Sequence, residues 1–300
     1  MQFNSIILIP PCFTYGDTLG VIGLLYFLLE YYDKVYLYIN VEKNNALILY
    51  YEMYFENSDL FNKRIFILTP PLDFFFIENQ SIHICNTFTD QWDSANFLLS
   101  EFIDKNNYFN TLNPIYNRIN VDNKYKCVPN LYLPRDTLEI NHLVYYKLIG
   151  LNNIVRMNYF NYSRDLNKEN LIKNKILLEN NIKNNEKYNI INTGGYKETN
   201  LHIKNSYKTI DIHMLVKFPG ILLSLIEGAE TIHLIYSSNV HLIYHCQYKN
   251  IMKNNKIYYH VWAHNRTFKH MLEEAWKCMT TPILDNWQFL FTENDAILAK

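Results

Sequence analysis

The stretch from Glu230 to His245 joins a short apolar run to a hydroxyl-rich turn, Ser237-Ser238-Asn239, and then to a second apolar run able to wind as a helix. The first turn of a helix has N–H groups without intrahelical acceptors and a partial positive charge. A Ser or Asn there can cap the helix while donating to an anion. Phosphate or diphosphate binding would use these residues, and so would an ordinary capped crossover of a parallel sheet. His241, at the start of that helix, would donate towards a phosphate or pack as a neutral imidazole. Thr193-Gly194-Gly195 is a second candidate phosphate loop, because two glycines let backbone N–H groups approach an anion closely. Asn192, Thr193 and Lys197 could add contacts, and a plain tight turn is the alternative. Arg266 reads as a diphosphate clamp or as a surface charge.

Gly16-Asp17-Thr18-Leu19-Gly20 carries the other reactive group. An Asp in the loop at the carboxyl end of a first strand can act as general base on a hydroxyl. Capping a helix that begins at Val21 is the competing role. The loop is not Gly-x-Gly-x-x-Gly and lacks a P-loop lysine, which argues against a dinucleotide or kinase-type phosphate site. His241 and His245, and likewise His260 and His264, have the one-turn separation of zinc ligands. No His-Glu-x-x-His pattern accompanies them, and 256–263 reads as strand, so no metal is expected. There is no Gly-x-Ser-x-Gly elbow, no close carboxylate pair and no basic-aromatic stripe for nucleic acid.

These groups need a scaffold, and the apolar periodicity supplies a parallel one. Residues 5–9 form an apolar strand, the Gly-Asp loop follows, 21–32 reads as a helix, and 35–39 as a second strand. That is a βαβ unit, which implies a two-sided parallel sheet. A helix over 44–55 and strands over 64–68 and 81–85 continue it, with a weaker helix over 93–103. Residues 106–134 read as loops, 136–149 as a helix closed by Gly150, and 167–184 as a longer polar helix. The Asn180–Lys187 run is the best candidate for an exposed connection between halves. A second α/β series starts at 188–192. An edge strand over 209–212, a helix over 218–227, the strand from Thr231 and the helix from Val240 follow. Residues 256–263, 268–279 and 287–291 read as strand, helix and a short apolar segment. The expected fold is α/β, with two Rossmann-like domains facing across a cleft, divided as 1–165 and 166–300.

The chain has 300 residues, 49% hydrophobic and 19% charged, which is globular and long enough for a sizeable core. A net charge of −1 supplies no field favouring nucleic acid or an anionic membrane. Asn, Ile, Lys and Tyr are heavily used and Gly is scarce, a bias that AT-rich coding would produce. Five scattered cysteines without a C-x-x-C pair point to reduced, buried thiols and a cytoplasmic setting. No apolar run is long enough to span a bilayer, and no basic region with a cleavage site suggests a signal peptide.

Taken together the motifs resemble those of GT-B glycosyltransferases of the heptosyltransferase type. Gly16-Asp17-Thr18-Leu19-Gly20 with the apolar helix and strand after it is similar to the opening of that acceptor domain. Tyr236-Ser-Ser-Asn-Val-His241-Leu is similar to the Asp-(Ser/Thr)-Gly-x-x-His-Leu loop of the donor domain, with Tyr236 or Ser237 in place of the acid and Asn239 in place of Gly. A closer resemblance is to glycosyltransferase-like proteins of giant DNA viruses and some bacteria. It rests on Gly16-Asp17, Tyr145-Tyr-Lys-Leu-Ile-Gly150, Arg156, Phe160, Arg164-Asp165, Glu169, Glu227-Gly-Ala-Glu-Thr-Ile-His233, Ser237-Ser238, Tyr259-His260 and Arg266. The resemblance implies Asp17 as catalytic base, with Gly16 and Thr18 on the acceptor side. It implies Thr193, Gly194, Gly195, Lys197, Ser237, Ser238, Asn239, His241 and Arg266 around a nucleotide-sugar co-substrate. It also implies a glycan or glycoprotein acceptor, no bound cofactor or metal, and the cytoplasm (of a host, if viral). A nucleotide-sugar epimerase and a non-catalytic binding protein on the same fold remain open alternatives.

Overall fold

The computed structural model of the chain describes residues 5–9, 15–39, 41–69, 82–86, 154–183, 185–193, 201, 203, 207–213, 215, 219–235, 237–261 and 284–290. The chain divides into two compact units, Met1–Asn161 and Tyr162–Lys300. Both are mixed α/β with parallel sheets.

In the first unit β1 (Ser5–Ile9), β2 (Lys34–Tyr38), β3 (Ile65–Leu68) and β4 (Ile82–Asn86) form a sheet in the order β3-β2-β1-β4. Every pairing is parallel. Ile6, Ile7 and Leu8 are all buried, as a strand covered on both faces requires. Each such side chain stabilises the fold by ~1.5–3 kcal/mol. Helix α1 (Tyr15–Leu28) follows β1, and α2 (Val41–Phe55) connects β2 to β3. A short helix, α3 (Ile154–Asn158), packs on α1.

Helix α1 begins six residues before the Val21 start that the sequence suggests, and Gly16 and Gly20 lie inside it rather than bracketing a loop. Glycine disfavours helix by ~1 kcal/mol per residue. At Gly23 of the same helix its value is plain. A β-carbon there would run into the Arg156 carbonyl oxygen and come within 2.7 Å of Arg156 Cα. The absence of a side chain is what lets α3 seat so closely.

In the second unit β5 (Tyr188–Asn192), β6 (Lys208–Asp211), β7 (Thr231–Leu234), β8 (Ile257–His260) and β9 (Trp287–Leu290) run parallel in the order β6-β5-β7-β8-β9. Helix α4 (Leu166–Glu179) leads into β5. A 3-10 turn (Pro219–Leu222) with α5 (Leu223–Glu227) leads into β7, and α6 (Ser238–Tyr248) joins β7 to β8. The edge strand β6 exposes Lys208 and Thr209, a polar edge that discourages strand addition.

Two helices end at a left-handed asparagine, and one of them stops earlier than the sequence suggests. Helix α4 stops at Glu179 instead of near 184, because Asn181 adopts φ 55° and Ile182 N–H closes back on the Leu177 carbonyl at 2.8 Å. Helix α6 ends the same way, with Asn250 at φ 54° and Ile251 N–H on the Cys246 carbonyl at 2.8 Å. Asparagine tolerates this left-handed position, so a chain poor in glycine closes its helices with it. The Asn180–Lys187 run lies inside the second unit, linking α4 to β5, rather than between the halves. The helices 93–103, 136–149 and 268–279 fall outside the described residues.

Candidate functional site

Numbered from its own first strand, the second sheet has the order 2-1-3-4-5. The chain leaves β5 towards β6 on one side and returns through β7 on the other. Right-handed crossovers to opposite sides open a crevice outside the carboxyl ends of the two central strands, where open α/β sheets bind ligands. Here those ends are Asn192 on β5 and Leu234 on β7, which are register partners.

Three side chains meet there. Asn192, fully buried, donates from Nδ2 to Ser237 Oγ at 2.6 Å and accepts at Oδ1 from Asn239 Nδ2 at 3.3 Å. Ser237 occupies the N-cap of α6 but makes no side-chain capping bond. The Ser237 carbonyl instead takes Val240 N–H at 3.1 Å. Ser238 and Asn239 open the helix, Ser238 half-buried and Asn239 buried. His241 is buried one turn in, and its carbonyl accepts from His245 Nδ1 at 2.5 Å. The far end of α6 is tied down by Gln247, whose Oε1 accepts from Trp287 Nε1 at 2.7 Å and Asn286 Nδ2 at 2.9 Å.

Thr193 follows Asn192 and is held from the neighbouring strand. Its N–H donates to Asp211 Oδ1 at 3.3 Å and its hydroxyl donates to Asp211 Oδ2. His213 N–H adds a bond to Asp211 Oδ1 at 3.0 Å. The Thr193 hydroxyl hydrogen is therefore committed to Asp211, and the carboxylate braces the start of the loop. Gly194, Gly195, Lys197 and Arg266 lie outside the described residues. In the first unit, Gly16, Asp17 and Thr18 stand in the first turn of α1, the helix after β1, and Thr18 is buried. The sequence places Asp17 in a loop before that helix, and the earlier helix start moves it into the helix proper.

A group that sequence spacing misses lies on one face of the same sheet. Thr231 Oγ1 donates to Asn189 Oδ1 at 2.7 Å. With that hydrogen committed, Thr231 Oγ1 accepts from His233 Nε2 at 3.2 Å, which leaves His233 Nδ1 to accept from His260 Nε2 at 3.0 Å. In this line each imidazole carries one proton, and a second proton on His233 Nδ1 would face the hydrogen on His260 Nε2. Burial holds His233 far below its usual value, to about 3, with the neighbouring His260 adding to the effect; burial holds His260 at about 4. The His233 ring also stacks on Tyr258 at 4.7 Å between centroids. His260 thus finds its partner across the sheet, two strand positions removed from the Tyr258 register of His233. Among the described residues no group of three or more His, Cys, Asp or Glu could hold a metal ion.

The motif residues Arg164, Glu169 and Glu227 meet at the opposite end of the strands, beside the segments that enter β7 and β8. Arg164 donates to both Glu169 oxygens, with its closest contact at 2.5 Å, and to both Glu227 oxygens at 2.8 and 2.9 Å. It also reaches Ser224 Oγ and the Ile251 carbonyl, each at 3.1 Å. Burial opposes the charge on Arg164, but the bonds to the two carboxylates overcome it and raise its pKa further. Burial would likewise raise Glu227, yet Arg164 and Lys253 N–H hold it below the ordinary carboxylate value. This knot joins the start of α4 to α5 and to the end of α6. Its role is structural, and it explains why residues 162–187 belong to the second unit.

The fold is thus that of a parallel α/β protein whose second unit gathers polar side chains at its strand-order reversal. No helix among the described residues is long and apolar enough to cross a membrane. Among solved structures, the chain is similar to the glycosyl transferase family 9 protein from Veillonella parvula DSM 2008, at 10% identity and a TM-score of 0.50. The likeness covers 100% of this chain and 97% of that one, and it is a likeness of fold. No family model matches the chain, and no curated protein matches it.

Proposed function

We propose that this chain is a glycosyltransferase that moves a sugar from a nucleotide-sugar to a hydroxyl of a glycan or glycoprotein, without a bound metal. The observation that carries the reading is the meeting of Asn192, Ser237 and Asn239 at the carboxyl ends of β5 and β7. A full-length fold likeness to a glycosyl transferase family 9 protein supports it. In this reading the two units face each other as Rossmann-like domains across a cleft, as in GT-B enzymes. The second holds the donor. Its diphosphate lies against Ser237, Ser238, Asn239 and His241 at the start of α6 and against the 193–195 loop, with Lys197 and Arg266 as countercharges.

The first unit presents the acceptor beside Gly16, Asp17 and Thr18. Asp17 takes the proton of the acceptor hydroxyl as that oxygen bonds to the anomeric carbon. The bond from the sugar to the diphosphate breaks, and the nucleoside diphosphate leaves with its electron pair. Oriented N–H groups, the positive end of α6 and cationic side chains meet the departing charge, so the step needs no metal in principle. In this reading the protein acts in the cytoplasm, that of a host if the chain is viral.

Thermal shift against UDP-, GDP-, ADP- and CMP-sugars tests the reading first. A true donor at a hundred times its dissociation constant adds about 2.7 kcal/mol of stability. With that donor, Asp17→Asn should abolish transfer while leaving donor binding intact. Retained turnover removes Asp17 from the mechanism. Stabilisation by none of the four classes removes the donor, and epimerised sugar formed without an acceptor makes the chain an epimerase.

A further inference from the structure

We infer that Asn192 is the positioning residue that sets the polarity of the donor site, turning the Ser237 hydroxyl into an outward donor for the diphosphate. The inference rests on the glycosyltransferase reading and goes beyond it, since it assigns a role to a residue one strand away from the turn.

A hydroxyl can donate or accept, and an anion pocket needs the donor. Asn192 settles which. The two amides are placed so that Asn239 Nδ2 donates to Asn192 Oδ1 at 3.3 Å, with the nitrogen of Asn192 towards Ser237. That nitrogen donates to Ser237 Oγ at 2.6 Å. Ser237 receives a hydrogen there and keeps its own. The usual outlet for a serine at an N-cap is to accept an N–H of its helix, and Ser237 makes no such bond. Its oxygen is thus filled from the sheet side, by Asn192, instead of from the helix. The first-turn N–H groups stay clear of a side-chain cap, and the hydroxyl hydrogen is left for a ligand. Asn192 is fully buried and fixed by its strand, whereas Ser237 lies half-buried at the turn. The residue held in the strand therefore dictates to the one at the turn. Thr193 next door makes a contrast, because Asp211 draws its hydroxyl hydrogen the other way.

Asn192→Asp tests this with almost no change of shape. The new carboxylate still accepts from Asn239, but at Ser237 it accepts instead of donating, and so takes the hydroxyl hydrogen away from the ligand. Affinities for UDP, GDP and ADP, and for the corresponding uncharged nucleosides, are measured by calorimetry on the intact chain. For the diphosphate that the wild type binds, Asn192→Asp should weaken binding by about tenfold or more, the scale of one hydrogen bond to a charged group. Nucleoside affinity should stay within about twofold on the same scale. A merely structural role would lower both together. Ser237→Ala, which leaves the strand intact and does not depend on the buried substitution folding, should show the same selective loss. Diphosphate affinity unchanged in Ser237→Ala, or parallel loss of diphosphate and nucleoside in Asn192→Asp, overturns the role of Asn192 alone. A wild-type chain that binds none of the diphosphates overturns the glycosyltransferase reading and this inference with it.

Discussion

Acidification should loosen the second unit through the His233–His260 pair. Both rings are buried, at 4% and 3% exposure, and a proton added at His233 Nδ1 would face the hydrogen that His260 donates to it. Their folded pKa values of about 3 and about 4 lie below the ordinary 6.5. The unfolded chain therefore takes up protons that the folded chain refuses. Stability is full above pH ~6.5 and falls as the pH drops towards those folded values. At pH 5 each histidine contributes a loss of about 2 kcal/mol, about 4 kcal/mol for the pair. That lowers the melting temperature by about 6 °C if the whole chain melts together, and by about 14 °C if the second unit melts alone. Urea unfolding between pH 7.5 and 5 reads it directly. The variant His233→Gln/His260→Gln removes the two titrations, so its stability should change less steeply with pH, by up to about 2.7 kcal/mol per pH unit. His260→Gln alone should recover about half of that. A slope unchanged in both variants would mean that the two imidazoles do not stay neutral in the fold.

Gly23→Ala should destabilise the first unit by about 1–3 kcal/mol, because the new methyl group meets the Arg156 backbone instead of a movable side chain. On a solvent-facing helix the same change would stabilise by up to ~1 kcal/mol, so a gain in denaturant midpoint would contradict the close α1–α3 packing. Arg164→Leu should cost about 3–5 kcal/mol by leaving Glu169, 1% exposed, as a buried charge without its partner. A loss under about 1 kcal/mol in urea unfolding would show that the cluster is solvated, as surface ion pairs are.

Much of the scaffold can be read directly from the chain. The segments 5–9 and 188–192 are the strands β1 and β5 to the residue, and in β1 the run of Ile and Leu is the continuous pattern that burial on both faces leaves. The Ser237-Ser238-Asn239 stretch does lead into α6, which starts at Ser238, two residues before the Val240 start that the sequence suggests. Helix ends are harder. Gly16 and Gly20 look like loop markers, and their helical state is not legible in a pattern built on local preference. The left-handed Asn181 and Asn250 look like ordinary polar residues until their backbone angles are known. The partners of the site are the least legible, since they are set by strand pairing. Nothing in the spacing of His260 and His264 points to His233, and nothing marks Asn192 as the residue that governs Ser237. An asparagine at the end of an apolar strand, aligned with the end of the strand before the serine turn, is the one signal that could have found it.

A crystal structure of the chain with the nucleoside diphosphate that stabilises it most tests the central claim directly. Phosphate oxygens should lie within hydrogen-bond distance of Ser237 Oγ and of the first-turn N–H groups of α6, with Asn192 still bonded to Ser237 behind them. A nucleotide seated away from the carboxyl ends of β5 and β7 would contradict it.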